Sequence, residues 1–402
     1  MKRVVVTGLG AVSACGFGAE TLIAAALAGE SGVRAVHFDR LDKQRVNEAA
    51  VLTEDDKAKV AELTGHNRMR DPVANYALVA AREAVAQAGL GEDDFGDRCG
   101  TIIGSGFGGG KTVDDNYWAF WSGSKVRLDP MAVPKIMNNA AASWVSMEFG
   151  ATGPLYCPAT ACSSASQAVG LAFQLLRAGA IDRCLAGGSE ACLEAGGFRV
   201  WELLRVMTAD KNRPFSKDRN GMTLGEGAGV LVLETLDSAE ARGADILCEI
   251  VGYGTNSDAG DLLRPDPERA AACMALALAE SGLDASDIGY VNAHGTGTVA
   301  NDVTEVSALR QVFGEDLDGL EVSSTKPVHG HALGAAGALE LVVTIGALRA
   351  GMAPPTINFT EVDPKIGLDP VANTARPISG KAAMSNSLAF GGINASLIVA
   401  KV

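Results

Sequence analysis

Two alanine-rich segments, far apart in this chain, end in the same four residues: Leu176-Arg177-Ala178-Gly179 and Leu348-Arg349-Ala350-Gly351. Gly89-Leu90-Gly91 and Gly282-Leu283-Asp284 form a second, weaker echo. Both pairs sit in a chain that alternates short β-branched runs with longer alanine-rich stretches, the pattern of an α/β fold. Repetition of that grammar predicts a duplicated α/β unit. The join is expected near residues 236–246, where Asp237–Asp245 turns polar and charged, dividing the chain into residues 1–244 and 245–402. Strands are expected at Arg3–Thr7, Gly100–Ile103, Arg183–Ala186 and Gly229–Glu234, then at Ile246–Tyr253 and Tyr290–Ala293. Helices are expected at Val73–Ala88, Lys135–Phe149, Ser163–Arg177, Ala270–Ser281, Asp302–Val312 and Ala336–Arg349. In Ser163–Arg177 the apolar residues recur at helical spacing, and Gly179 suits a left-handed cap.

Two glycine-rich stretches resemble nucleotide-binding loops and fail on spacing. Thr7–Gly16 reads TGLGAVSACG, with Ser13 where a dinucleotide fingerprint needs Gly or Ala and no acidic residue at the right distance. It is read as a tight strand-to-helix turn. Gly104–Thr112 reads GSGFGGGKT, but residue 105, where a P-loop starts with Gly, is Ser. The TVDDNYW that follows is a poor helix start, so the loop is read as one that approaches another backbone or a ligand closely.

The net charge of −14 argues against a general nucleic-acid binder, which needs a basic surface. It leaves room for a local basic patch facing an acidic partner, with Arg68, Arg70, Lys125, Arg127, Arg199, Arg205, Lys211, Arg213 and Lys217 as candidates. No apolar stretch reaches the length of a membrane span, and Met1-Lys2-Arg3 is followed by too short an apolar run for a signal peptide. Eight scattered cysteines without Cys-x-x-Cys fit free thiols in a reducing cytoplasm.

Chemistry concentrates in three places. Cys162 lies in TACSSASQAVG at an expected helix start, where unpaired backbone N–H groups and the positive end of the helix dipole lower a thiol pKa. The alternative is a small buried thiol, the commonest fate of free cysteine. His294 follows a strand in NAHGTGT, and His331 precedes a helix in STKPVHGHALGAAG. Either histidine alone fits a structural role as well as a catalytic one; two of them with one cysteine at a helix start favour catalysis. A zinc site from His294, His329 and His331 is the weaker alternative, because His-Gly-His with one remote histidine is a poor ligand set.

TACSSASQAVG, RPFSKDRNGMTLGEGAG, NAHGTGTVANDVTE, SSTKPVHGHALGAAGALE and SNSLAFGGINASL, in that order, resemble the β-ketoacyl-ACP synthases of the KAS I/II type. The resemblance covers the whole chain, from VVVTGLGAVSACG to INASLIVA. It implies a thiolase fold, two similar halves packed in five layers α-β-α-β-α, and a homodimer, with a heterodimer as the alternative. The implied reaction is decarboxylating Claisen condensation on acyl carrier protein (ACP). It implies an acyl group on Cys162 and enolate stabilisation by His294 and His331. The backbone N–H groups of Cys162 and Phe390 would form an oxyanion hole, with Phe390 also a gate. Lys326 and Glu340 would order the site, Asp302 and Glu305 would brace the HGTGT loop, and Thr296 and Thr298 would contact the phosphopantetheine arm. No cofactor or catalytic metal is implied; a structural monovalent cation near Asn292, Glu340, Ser385 and Asn386 is. Phe107 occupies a position that lines the acyl pocket in relatives and is expected to shorten it.

The motifs ACSS and NSLAFGG differ from the commoner ACAT, ACTS and NSFGFGG, and Asp39–Gly65 is short. LRVMTADKNRPFS is similar to the nodulation-protein-E type of synthase. The pathway is therefore either bulk fatty-acid synthesis or a specialised lipid or polyketide. The presence of Cys162 and both histidines argues against a non-catalytic chain-length-factor subunit. A biosynthetic thiolase would need a second cysteine near the C-terminus, and the last is Cys273.

Overall fold

The computed structural model describes residues 1–124 and 127–402; Lys125 of the basic-patch candidates lies outside the described residues. Among the described residues, a mixed sheet of eleven strands runs through the molecule. Five strands of the first half matter here: β1 (Val4–Ser13), β2 (Cys99–Gly104), β3 (Leu155–Tyr156), β4 (Arg183–Glu190) and β5 (Gly227–Thr235). Five follow in the second: β6 (Cys248–Ser257), β7 (Ile288–Asn292), β8 (Glu321–Ser323), β9 (Ala382–Ala389) and β10 (Ile393–Ala400). Across the sheet the first half runs β3-β2-β4-β5-β1 and the second β8-β7-β9-β10-β6. Directions repeat as well. The first three strands of each list are parallel, and the last two pairings are antiparallel. The halves join where Val4–Val6 of β1 pair with Cys248–Ile250 of β6.

The layers are built from α1 (Pro72–Ala88), α3 (Ala140–Phe149), α4 (Ser164–Arg177), α5 (Pro267–Ser281), α6 (Val299–Phe313) and α7 (Ala336–Ala350), while α2 (Gly110–Ser122) packs outside them on the short helices Ala132–Ile136 and Ala195–Leu203. α4 and α7 lie against each other between the two half-sheets, α1 and α3 cover the outer face of the first, and α5 covers that of the second with α6 packed on it. This is the five-layer thiolase arrangement. α1 begins at an Asp71 cap whose carboxylate accepts from the Val73 N–H, has Pro72 in its first turn, and ends at left-handed Gly89. Losing that cap costs about 1 kcal/mol.

The differences from the sequence reading have packing causes. Thr7–Gly16 is not a strand-to-helix turn: β1 continues to Ser13. Its glycines serve the helix above, since a Cβ on Gly8 or Gly10 would stand 2.0 Å from the Ala84 carbonyl oxygen or 1.9 Å from that of Ala80. TVDDNYW does lie in a helix, α2. The expected helix Lys135–Phe149 is broken into Ala132–Ile136 and α3, with Met137 extended between them. One helix, Leu333–Ala350, is long and apolar enough to cross a bilayer, against expectation; 89% of it is buried inside the protein, so its apolarity is that of a central core helix.

Candidate active site

The two halves meet end to end at the site. Cys162 belongs to a 3₁₀ turn, Ala161–Ser163, immediately ahead of α4, and Ala161 is held in the left-handed region (φ 51°). His294 stands two residues past the end of β7. His331 is held by a backbone bridge, its N–H donating to the Thr223 carbonyl and its own carbonyl accepting from the Gly225 N–H. The ligating atoms of Cys162, His294 and His331 lie within 4.8 Å of one another, and all three residues are buried. His331 Nε2 is 3.0 Å from Cys162 Sγ, and the two imidazoles meet edge to face at 5.4 Å. His329 does not join them: its Nε2 pairs with Thr325 Oγ1 and its Nδ1 with the Gly330 carbonyl.

Burial sets the protonation states. It pushes the Cys162 thiol up to about 12; Lys326 and the Phe390 N–H pull it down, and Glu340 and Glu190 push it further up. The sequence reading gave this sulfur a lowered pKa. Desolvation is the largest influence on this sulfur and favours the thiol as the resting form. Burial, then the Lys326 charge, holds both His294 and His331 well below the usual imidazole range, so both are neutral. Lys326 forms a buried ion pair with Glu340 and lies 3.4 Å from His294 Nδ1. An ammonium donating to Nδ1 leaves the proton of neutral His294 on Nε2, where it serves as a hydrogen-bond donor.

The supporting residues are placed by short bonds. Glu305 accepts from the His294 and Gly295 N–H groups, both at 2.8 Å. Asp302 accepts from the Phe215 and Gly297 N–H groups and faces Arg219. Thr296 and Thr298 share a hydrogen bond of 2.9 Å. Glu340 Oε2, Ser385 Oγ and Asn386 Nδ2 are buried and find no hydrogen-bond partner among the described residues. Asn292 Nδ2 donates to the Glu340 carbonyl and Thr344 Oγ1. Two orphaned oxygens, one of them a carboxylate oxygen, fit a hard monovalent cation.

A cavity of about 160 Å³ reaches this cluster; Cys162, His294, His331, Thr296, Thr298 and Phe390 are in its wall. Phe107 is not. It is half-exposed and touches the wall through Trp201, edge-on at 6.4 Å, while Trp201 stacks on Phe390 at 6.1 Å. Trp201 escaped the sequence reading because a tryptophan within an amphipathic helix looks like core. Glu190 escaped it too, although an acid shortly after the apolar run Cys184–Gly188 was a visible sign of a buried charge. The segment Asp261–Pro265 also lines the cavity, tied to the gate by the Gly391 N–H donating to the Leu262 carbonyl. Of the basic candidates, Arg199, Lys211, Arg213 and Lys217 are engaged by Glu202, Glu48, Asp210 with Asp218, and Glu361. Arg205 is exposed between the wall residues Leu204 and Val206 and forms no ion pair among the described residues.

A cysteine backed by two neutral histidines and a lysine–glutamate pair, at the end of a mostly apolar cavity, can carry an acyl group and stabilise an enolate. Comparison with known proteins agrees. Residues 1–239 match the Beta-ketoacyl synthase N-terminal domain and residues 247–360 the Beta-ketoacyl synthase C-terminal domain. Nodulation protein E of Rhizobium sp. (strain N33) is 40% identical, with both chains fully covered. 3-Oxoacyl-[acyl-carrier-protein] synthase 2 of Staphylococcus aureus (strain N315) is 38% identical over all of this chain and 98% of its own. The solved AntDE:AntF complex, a type II PKS acyl-carrier protein with its ketosynthase bound to the hexaketide, superposes with a TM-score of 0.91 at 28% identity, covering both chains fully. The chain belongs to the β-ketoacyl synthase family.

Proposed function

We propose that this condensing enzyme takes an acyl group from acyl-ACP onto Cys162 and joins it to malonyl-ACP with loss of carbon dioxide. The observation that carries the reading is the 3.0 Å contact between Cys162 Sγ and neutral His331 Nε2, with His294 in the same buried cluster. In the first half-reaction the Cys162 sulfur attacks the carrier thioester. Its proton passes to the departing carrier thiolate, which leaves as the thiol, while the Nε2–H of neutral His331 donates to the sulfur. The N–H groups of Cys162 and Phe390 receive the oxyanion. In the second, His294 and His331 donate to the malonyl thioester oxygen as the carboxylate leaves as carbon dioxide. The resulting carbanion attacks the acyl thioester, and one proton taken up restores the Cys162 thiol. Lys326, fixed by Glu340, keeps His294 a donor at Nε2. Thr296 and Thr298 line the approach of the carrier's arm, and Asp302 and Glu305 hold their loop. Glu340 and Ser385, with Asn292 and Asn386, would hold a structural monovalent cation that orders this corner.

The carrier partner is supported by the carrier complex of the related ketosynthase, and Arg205 offers an acidic carrier a free charge beside the cavity. A second copy of the chain is the expected assembly partner: β3 ends the sheet as an unpaired edge, and Tyr117, Trp118, Phe120 and Trp121 stand exposed on α2. We assign the enzyme to the cytoplasm, with the two halves dividing at residues 244 and 245. Its product is a fatty acid or a specialised lipid or polyketide. Phe107, pressing on Trp201, restricts the acyl chain, so Phe107→Ala should admit longer chains.

The test is incubation with a panel of acyl-ACPs of increasing length, reading the adduct on Cys162 by mass spectrometry. An adduct of the acyl mass on Cys162 supports the reading. No adduct with any carrier-bound chain overturns it.

A further inference from the structure

The site has a counterpart that does no chemistry. Aligned on their shared Leu-Arg-Ala-Gly ends, α4 and α7 start at matching residues, each behind a 3₁₀ turn, Ala161–Ser163 and Leu333–Ala335. Each turn opens with a non-glycine residue in the left-handed region, Ala161 (φ 51°) and Leu333 (φ 42°). Gly334 therefore stands in the second half where Cys162 stands in the first. Likewise Gly106 lies two residues past β2, as His294 lies two residues past β7. The catalytic pair crosses between the halves, and so does its counterpart. A Cβ on Gly334 would stand 2.3 Å from the Gly106 nitrogen.

A single buried carboxylate fills this second meeting point. Glu190, the last residue of β4, is fully buried. Its Oε2 accepts from the Gly106 N–H (2.8 Å) and the Gly334 N–H (2.9 Å). Its Oε1 accepts from the Phe107 N–H and Ser105 Oγ at longer range. No cation pairs with it among the described residues; burial raises its carboxyl to about 7, and these four donors offset part of that desolvation. The same donors belong to two segments that the reaction uses. One carries Phe107 against Trp201; the other begins two residues after His331.

We propose that Glu190 is a positioning residue that ties the Phe107 loop to the turn behind His331, so that one group sets both the acyl-chain wall and the histidine. The proposal rests on the function proposed above for its readouts. Glu190→Gln would turn one acceptor oxygen into a donor facing N–H groups, breaking the tie with little change of shape.

Two readouts separate this role from a merely structural one. In otherwise wild-type enzyme, Glu190→Gln should change the ratio of long-chain to short-chain acylation of Cys162 several-fold. In a Cys162→Gln background it should slow malonyl-ACP decarboxylation about tenfold, as expected for losing charge-assisted hydrogen bonds. Adding Phe107→Ala should abolish the first effect and leave the second. An unchanged chain-length ratio with unchanged decarboxylation overturns the proposal. So does an unchanged ratio with a fall in decarboxylation that matches the folded fraction. If Glu190→Gln does not fold, Ser105→Ala removes one donor only; a shifted ratio then supports the tie and an unshifted one overturns it. Failure of the wild-type enzyme to acquire any acyl adduct would overturn the proposed function instead, leaving the decarboxylation arm to decide on Glu190.

Discussion

The two halves share a strand order, a central helix and a strained turn ahead of that helix, yet among the described residues one crossing point between them carries a thiol and an imidazole and the other two glycines. Where the second half's strand end meets the first half's helix start stand His294 and Cys162. Where the first half's strand end meets the second half's helix start stand Gly106 and Gly334, packed backbone to backbone under Glu190. Each strand end is held in the same way, by a buried glutamate accepting two successive N–H groups: Glu305 for residues 294 and 295, Glu190 for residues 106 and 107. The scaffold offers the same geometry twice. The two copies differ in side-chain identity at two positions, and at the glycine-lined one Glu190 fills the space.

The sharpest break in this comparison is to remove the thiol from the crossing that carries it. Cys162→Gln should abolish acyl transfer, a loss of at least about a thousandfold in condensation, while malonyl-ACP decarboxylation persists on the two histidines. Loss of both activities in a folded variant would remove the histidines from their assigned roles. His294→Ala should lower decarboxylation by about a hundredfold or more, the usual cost of one preorganised donor to a developing oxyanion. Decarboxylation at the wild-type rate would show that the strand-end position carries no chemistry in either half.

A third experiment asks whether the helix start or burial governs the sulfur. A thiol held near 12 is protonated at neutral pH, so alkylation of Cys162 by iodoacetamide should rise about tenfold per pH unit between pH 7 and 9. A plateau there would mean that the positive helix end prevails and the resting group is a thiolate. The smallest effect belongs to the crossing with the two glycines. Gly334→Ala places a methyl 2.3 Å from the Gly106 nitrogen and 2.7 Å from Glu190 Oε2. It should cost about 1–3 kcal/mol by overpacking, read as a lower midpoint in thermal or urea unfolding. Unchanged stability would mean that the two backbones part easily, and the brace would lose its significance.

The duplication was legible in the sequence because it left marks that packing could not erase: the Leu-Arg-Ala-Gly ends and the alternation of apolar runs. The meeting of Cys162, His294 and His331 was legible because a thiol and two imidazoles stood among small residues at element ends, within long motifs. What stayed hidden was decided by neighbours distant in the chain. Gly8 and Gly10 look like a turn until α1 is seen lying on them. The break at Met137–Asn139 has no strong local signal. Glu190 shows a lone acid after an apolar run, but the four donors that satisfy it come from residues 105–107 and 334. The burial that raises the Cys162 thiol stayed hidden because a helix end can be read from sequence, whereas the depth at which it lies cannot.

Every residue of α7 from Ala336 to Leu348 is buried, and the helix is pressed between the two half-sheets. Water can reach those amides only when the halves separate. Deuterium uptake along 336–348 should therefore be the slowest in the molecule and follow its complete opening, while uptake around Asp261–Pro265, at the cavity wall, should follow local movement alone. The helix whose apolarity resembles that of a membrane span thus becomes a clock for the integrity of the whole fold.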